Sequence, residues 1–398
     1  MMPTNRSNSG SLSVIKVLVI ITTLVFIFNQ RSRILSLMES TGPAEPEGVQ
    51  GLYGRVDVGN FVRLEPGKDH VLVTGAAGFI GMSLCAQLGM MEIDVIGIDN
   101  FNTYYSIELK RARAKYLMKS HNIPIVDGDV CSRSTILDLL LKYKITHVVH
   151  LAAQPGVRYS LTHPMIYVKR NVECFVELLE AIVSIPPEKG RPYLVYASSS
   201  SVYGMNEKMP FSEGDRVDLP SNLYGASKRS NEQIAYSYYN TYDVKSVGLR
   251  FFTVYGPWGR PDMAVYKFAD KIDKGMPIPV YNGGKMKRDF TFIDDIVSGI
   301  VAAMQWRDAK ESPQVFNLGN HKPVEILKLI RELEKALGKV AVVEDAGPSP
   351  GEVMATFADI RLSQRTLGFL PKTTLDVGVK RFVEWYKSDQ VKPSFAES

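Results

Sequence analysis

From residue 70 to about residue 250 the chain alternates short, largely apolar runs with longer stretches of helical periodicity. Val71-Leu72-Val73, Asp94 to Ile98, Ile123 to Val126, His147 to Leu151, Tyr193 to Tyr196 and Val244 to Arg250 are rich in β-branched and aliphatic residues, with little polar alternation. A strand without a polar face is covered on both sides, and strands separated by helical stretches are joined by crossovers. The pattern therefore predicts an α/β fold with a doubly wound parallel sheet. Beyond Arg250 the rhythm loosens into proline-rich loops, with helices predicted over Asp295 to Gln305 and Val324 to Leu337. This part reads as a smaller α/β lobe over 256–390, partly an excursion from a first domain over 69–255, with one helix returning to it and a tail at 391–398.

The amino terminus has a different texture. After a tail over 1–11, Leu12 to Phe28 is apolar except for Lys16 and a few hydroxyls. About 17 such residues is the short end of a bilayer span, and Lys16 can snorkel to the headgroups. Asn29-Gln30-Arg31 follows with no small-x-small cleavage site, which favours an uncleaved signal-anchor over 12–30 against a signal peptide. Arg6 and Lys16 on one side balance Arg31 and Arg33 on the other, so charge does not set the orientation. Residues 31–68, whose part from Thr41 is rich in Gly, Pro and Glu, read as a stem.

Composition changes this picture little. Of 398 residues 45% are apolar and 22% charged, and a net charge of +5 without a long basic run does not imply nucleic acid. The basic stretch Lys110 to Lys119 reads as a solvated helix face. Cys85, Cys131 and Cys174 make no disulfide framework and show no metal-ligand spacing, and Cys85 belongs to the core.

The chemistry is carried by motifs. Thr74 ends a strand, Gly75, Gly78 and Gly81 follow, and an apolar helix predicted over Ile80 to Leu88 comes next. Glycines at such a turn let backbone amides approach a pyrophosphate, and the helix start adds a favourable dipole. Asp99 closes the next strand about 20 residues on, where a carboxylate accepts bonds from ribose hydroxyls and repels a 2′-phosphate, arguing for NAD. Asp129, at the end of the third strand, suits the adenine edge or caps the helix of the Ser132 segment. Tyr224 and Lys228 stand four apart and share a helix face. A neighbouring ammonium lowers a phenol's pKa toward a working range, so the tyrosine can take a proton from an alcohol as hydride leaves the same carbon. Ser198-Ser199-Ser200-Ser201 follows the fifth strand directly, at the sheet edge where such folds bind ligands. One of these serines can bridge Tyr224 and the substrate oxygen.

These residues carry a resemblance. Thr74 to Gly81, His150-Leu-Ala-Ala153, Ser198 to Gly204 and Tyr224-x-x-x-Lys228 together resemble the extended short-chain dehydrogenases/reductases, which implies a Rossmann-type domain. Ala152 to Ser160, Arg250 to Met263 and Gly284 to Thr291 are similar to the UDP-glucuronate 4-epimerases, over roughly residues 69 to 388. The resemblance implies bound NAD, with contacts at Gly75, Gly78, Phe79, Ile80, Gly81, Asp99, Asn100, Asp129, Val130, Leu151, Ala152, Ala153, Tyr224 and Lys228. It makes Tyr224 the base, Ser199 its hydrogen-bonding partner and Lys228 the residue that tunes the tyrosine. The smaller lobe then holds a UDP-sugar.

Within that reading Arg158 is the candidate for the sugar carboxylate, because a planar guanidinium meets it bidentately, with Ser200, Ser201 and Thr253 in support. Arg260 and Arg288 are candidates for the diphosphate. Asp294 and Asp295 are expected to cap the helix that follows. No metal is expected. The resemblance also implies a homodimer, and an anchor plus stem resembles the plant-type membrane form, single-pass type II with its catalytic domain in the Golgi lumen. The rival readings are another UDP-sugar 4-epimerase, a UDP-glucuronate decarboxylase, a sugar-nucleotide 4,6-dehydratase and a non-catalytic NAD-binding scaffold.

Overall fold

A computed structural model describes residues 61–307, 313–348 and 353–388, all within one compact unit. Seven parallel strands form its central sheet: β1 (His70–Thr74), β2 (Asp94–Asp99), β3 (Ile125–Asp127), β4 (His147–His150), β5 (Tyr193–Ser199), β6 (Ser246–Phe251) and β7 (Gln314–Leu318), in the order β7-β6-β5-β4-β1-β2-β3. The helices used below are α1 (Phe79–Met90), α2 (Ile107–His121), α3 (Arg133–Lys142), α4 (Cys174–Val183), α5 (Leu223–Tyr242), α6 (Ala264–Asp273), α7 (Ile293–Gln305), α8 (Ile326–Leu337) and α9 (Leu375–Lys387).

Successive strand residues point to opposite faces, and both faces are apolar. Val71, Val73, Val149, Val195 and Leu249 pack with Leu84, Leu88 and Ile300 of α1 and α7. Leu72, Ile96, Val148, Leu194 and Tyr196 pack with Leu139, Leu178 and Ile182 of α3 and α4 on the other side. The doubly wound sheet read from the sequence is thus present. Its chain order reverses between β1 and β4, and the crevice at the carboxyl ends there is where such sheets bind ligands.

The smaller lobe hangs from the β6–β7 edge. It holds three two-stranded ladders, Thr253–Tyr255 with Phe290–Phe292, Lys287–Arg288 with Val324–Glu325, and Ile278–Val280 with Val343–Asp345, together with α6, α8 and α9. β7 is absent from the sequence reading. Its Gln-Val-Phe-Asn-Leu stretch is short and pairs with β6 only after an excursion of the chain through the first part of the lobe, so residue 255 does not bound the sheet.

Other expectations change. Asp295 does not cap α7: the helix starts two residues earlier, and this carboxylate accepts the backbone N–H groups of Lys372 and Thr373 at 3.1 and 3.0 Å. Asp294 pairs with Arg381. Cys131 and Cys174 form a disulfide between the loop after β3 and the start of α4, while Cys85 is the buried free thiol. Two cysteines 43 residues apart gave no spacing signal; the fold brings them together. Within the basic stretch, Lys110 and Arg113 are buried rather than solvated. The last residues read as stem are attached, because Phe61 bridges to Trp306 and Leu64 is in the core. The anchor predicted over 12–30, the tails and the rest of the stem lie outside the described residues. Among the described residues no helix is long and apolar enough to cross a membrane.

Candidate active site

A cleft of about 1850 Å³ runs along the carboxyl edge of the sheet into the smaller lobe. Its cofactor end is made of backbone. Gly75 has φ +69°, and an added Cβ would lie 2.7 Å from the nitrogen of Ala152, so both conformation and clearance demand glycine there. At Gly81 the same atom would fall 2.2 Å from the Gly75 carbonyl oxygen, which lets α1 begin tight against the turn. Gly78 caps α1 without a side-chain hydrogen bond, leaving its first-turn N–H groups for an anion. Thr74 hydroxyl accepts the Ala152 N–H at 3.2 Å and meets His150 Nδ1 at 2.8 Å, which ties the β1 and β4 exits together.

Asp99 receives the N–H of Ala77 on one oxygen at 3.0 Å and that of Phe101 on the other at 2.9 Å. Burial pushes its pKa up, against the pull of these amides and of Lys110 and Arg113. Each oxygen keeps a lone pair for a ribose hydroxyl. A glycine cradle, an uncapped helix start and a braced acid together fit NAD.

Asp129 accepts from the Cys131 N–H at 3.0 Å and from Asn100 at 3.4 Å, and it pairs with Arg170. Of its two readings the helix cap fails, because Ser132 caps α3. Burial raises its pKa, and the Cys131 amide and Arg170 outweigh that, holding the carboxyl below its usual range. Arg170 was not visible in the sequence; it reaches the site from a π-helical turn, Val168–Glu173, 41 residues away.

The catalytic edge depends on one close approach. Asn222 caps α5 by accepting the Gly225 N–H at 2.9 Å, and a Cβ on Gly225 would sit 2.4 Å from the Ser201 carbonyl oxygen. The bare glycine seats the helix on the serine loop, and the Ser199 hydroxyl hydrogen-bonds the Tyr224 phenol. Ser198 faces away, donating to Glu232 at 2.6 Å, and Glu232 is held bidentately by Arg250. Ser199, Ser200 and Ser201 line the cleft with Tyr224, Lys228 and Thr253.

The expected tuning differs in its source. Burial lifts the Tyr224 phenol above its ordinary value of 10, and the groups that pull it back are the Ser199 hydroxyl and the Arg260 guanidinium. Lys228 instead donates to the Ala197 carbonyl at 2.9 Å, and burial lowers its own pKa to about 8. Sharing a helix face does not dictate where a four-carbon side chain ends.

Arg158, Arg260 and Arg288 all line the cleft. Arg158 lies over the Tyr281 ring, 5.4 Å from its centre. Arg260 is held by Asp262, its Nε donating to one oxygen at 3.0 Å, and Tyr104 donates to the other at 3.3 Å. Arg288 donates to the Lys287 carbonyl at 2.9 Å. Phe79, Ile80, Asn100, Val130, Leu151, Ala152 and Ala153 also line the cleft.

The NAD dependent epimerase/dehydratase family pattern matches residues 71–319. The chain is 48% identical over 333 residues to UDP-glucuronate 4-epimerase 4 of Arabidopsis thaliana, covering 80% of this chain and 75% of that protein. It is 43% identical over 387 residues to UDP-glucuronate 4-epimerase 3 of the same plant, covering 91% and 87%. The crystal structure of UDP-glucuronic acid 4-epimerase from Bacillus cereus, in complex with UDP-glucuronic acid and NAD, superposes with a TM-score of 0.74 at 34% identity, covering 80% of this chain and 99% of that one. With a matching pattern over more than half its length and relatives above 40% identity, this chain belongs to the NAD dependent epimerase/dehydratase family.

Proposed function

We propose that the protein is a UDP-glucuronate 4-epimerase, interconverting UDP-glucuronate and UDP-galacturonate through a 4-keto sugar. The observation that carries this reading is the Ser199–Tyr224–Lys228 set opening on a cleft with guanidinium groups on its far walls. NAD, held by the Gly75–Gly81 turn, Asp99 and Lys228, supplies when bound an acceptor for the C4 hydride and its return, so net redox is zero. Tyr224 takes the proton of the C4 hydroxyl, with Ser199 bridging phenol and sugar oxygen, and gives it back after the sugar has turned over. Arg260 and Arg288 grip the diphosphate while the ring rotates, and Arg158 meets the carboxylate, supported by Ser200, Ser201 and Thr253.

A 4,6-dehydratase needs a further acid and base beside the reacting carbon. Among the described residues lining the cleft the only carboxylates are Asp99 and Asp129 at the cofactor end and Asp262, paired with Arg260. Incubating the full chain with UDP-glucuronate and resolving the nucleotides by chromatography tests the reading. UDP-galacturonate accumulating toward a mixture, with no added NAD consumed, is the expected result. A UDP-pentose would make the enzyme a decarboxylase, and UDP-galactose formed only from UDP-glucose would remove Arg158 from its role.

We further propose a single-pass type II Golgi membrane protein with a lumenal catalytic domain, acting as a homodimer. The uninterrupted run Val17 to Phe28 supports the anchor. The Cys131–Cys174 disulfide suits an oxidising lumen. Leu161 and Met165 are 70% and 73% exposed on segments that pack against α5, where Tyr236 is 56% exposed, an apolar surface suited to a second copy. Protease protection of sealed Golgi vesicles tests the topology, and light scattering of the detergent-solubilised chain tests the dimer. Digestion from outside, or a monomer mass, would each remove its half of the proposal.

A further inference from the structure

Arg113 on α2 is fully buried, yet its bonded partners are all neutral oxygens. Nη1 donates to the Ala77 carbonyl at 3.0 Å and the Tyr105 hydroxyl at 2.7 Å, and Nη2 to the carbonyls of Trp258 at 2.6 Å and Gly259 at 3.4 Å. The Nε–H finds no acceptor among the described residues. A buried guanidinium without a bonded carboxylate is a poor source of stability, and an apolar residue of its size commonly serves a core as well or better. What it offers here is geometry, because its carbonyl acceptors belong to two segments that carry opposite ends of the cleft, the glycine turn and the loop leading to Arg260.

Ala77 lies within the glycine turn and is held on both sides, its N–H by Asp99 and its carbonyl by Arg113. Trp258 and Gly259 belong to the loop that carries Arg260. Trp258 has φ +63°, a left-handed conformation that a bulky residue keeps only when its surroundings impose it. Its carbonyl is the acceptor of the shorter Nη2 bond. A second tie runs in parallel, since Tyr104, in the loop after Asp99, donates to Asp262, which holds the Arg260 side chain.

We infer that Arg113 is a positioning residue that sets the substrate loop against the cofactor turn, fixing Arg260 for the diphosphate. The inference rests on the reading of the cleft as a site for NAD and a UDP-sugar. One guanidinium thereby couples the two ligands: displacing the loop loosens the turn, and a loosened turn misplaces Arg260.

Calorimetric titration of UDP into the NAD-loaded full chain provides the test, in wild type, Arg113→Met, Arg260→Ala and the double variant. Arg113→Met is expected to weaken UDP about tenfold, within the usual range of such coupling, and to change almost nothing further once Arg260 is absent. The KM for UDP-glucuronate should rise in the single variant while kcat holds, whereas loss of folded enzyme would lower kcat at constant KM. If Arg113→Met does not fold, Arg113→Lys carries the same cycle, because one ammonium keeps the charge but cannot serve carbonyls of both lobes. Equal losses in the presence and absence of Arg260 would reduce Arg113 to a structural residue and overturn the proposal alone. A wild-type chain that does not bind UDP would overturn the functional reading, and this inference with it.

Discussion

At the cofactor end of the cleft the working groups are mostly peptide N–H and C=O groups of residues 75–81 and 151–153, joined by the Asp99 carboxylate, and at Gly75 and Gly81 the packing is so close that a single methyl does not fit. At the substrate end they are long side chains, Arg158, Arg260 and Arg288, each sent in from a different segment and each steadied by a local partner. A backbone site is rigid and indifferent to side-chain identity except where clearance demands glycine. A side-chain site is adjustable and depends on what holds each chain in place. The first suits a cofactor that stays, the second a sugar nucleotide that must enter, turn and leave.

The contrast breaks most sharply at the catalytic edge between the two ends. Tyr224→Phe removes the proton acceptor while leaving the glycine turn, Asp99 and the cleft arginines unchanged, so kcat should fall by about 10²–10⁴ while NAD remains bound, as turnover and cofactor content of the purified variant will report. Next in size is the Cys131–Cys174 bond, which closes 43 residues beside Asp129 and Arg170. Cys131→Ser should cost roughly 2–4 kcal/mol, read as a drop in melting temperature matched by reduction of the wild type. Gly81→Ala places its methyl against the Gly75 carbonyl; a loss of about 1–3 kcal/mol is expected, accompanied by NAD release, whereas an equal-sized change at exposed Arg158 should leave NAD in place. The smallest effect is on pH. The Lys228 ammonium, with its pKa lowered to about 8, is charged below that pH and neutral above it, so kcat/KM should decline as pH rises through about 8. Lys228→Arg, charged throughout, should lose that alkaline limb whatever its absolute rate.

The same contrast governs what could be read in advance. The glycine turn, Asp99 and the Tyr224–Lys228 pair are legible because their spacing along the chain is their spacing in space, within one turn, one strand or one helix. Arg113 reads as part of a solvated face because its carbonyl acceptors stand 36, 145 and 146 residues away. Arg170 and the disulfide escape for the same reason, their partners standing 41 and 43 residues away, and β7 because a five-residue strand is recognised by the neighbour it pairs with. The serine run shows the limit within a motif: four hydroxyls look alike, and only the strand's alternation turns Ser198 toward Glu232 and Ser199 toward Tyr224.

The return of the chain to lay β7 beside β6 has a consequence for how this molecule is made. Until residue 318 has been synthesised, β6 is an edge with a free row of hydrogen-bonding groups, and a long unpaired edge invites pairing with other chains. The nucleotide half is therefore not a module that can be cut at residue 255 and expected to stand alone. Its final strand arrives only after the first part of the other lobe, up to α7, has been made, a high-contact-order step that slows folding and makes the lobes mature together.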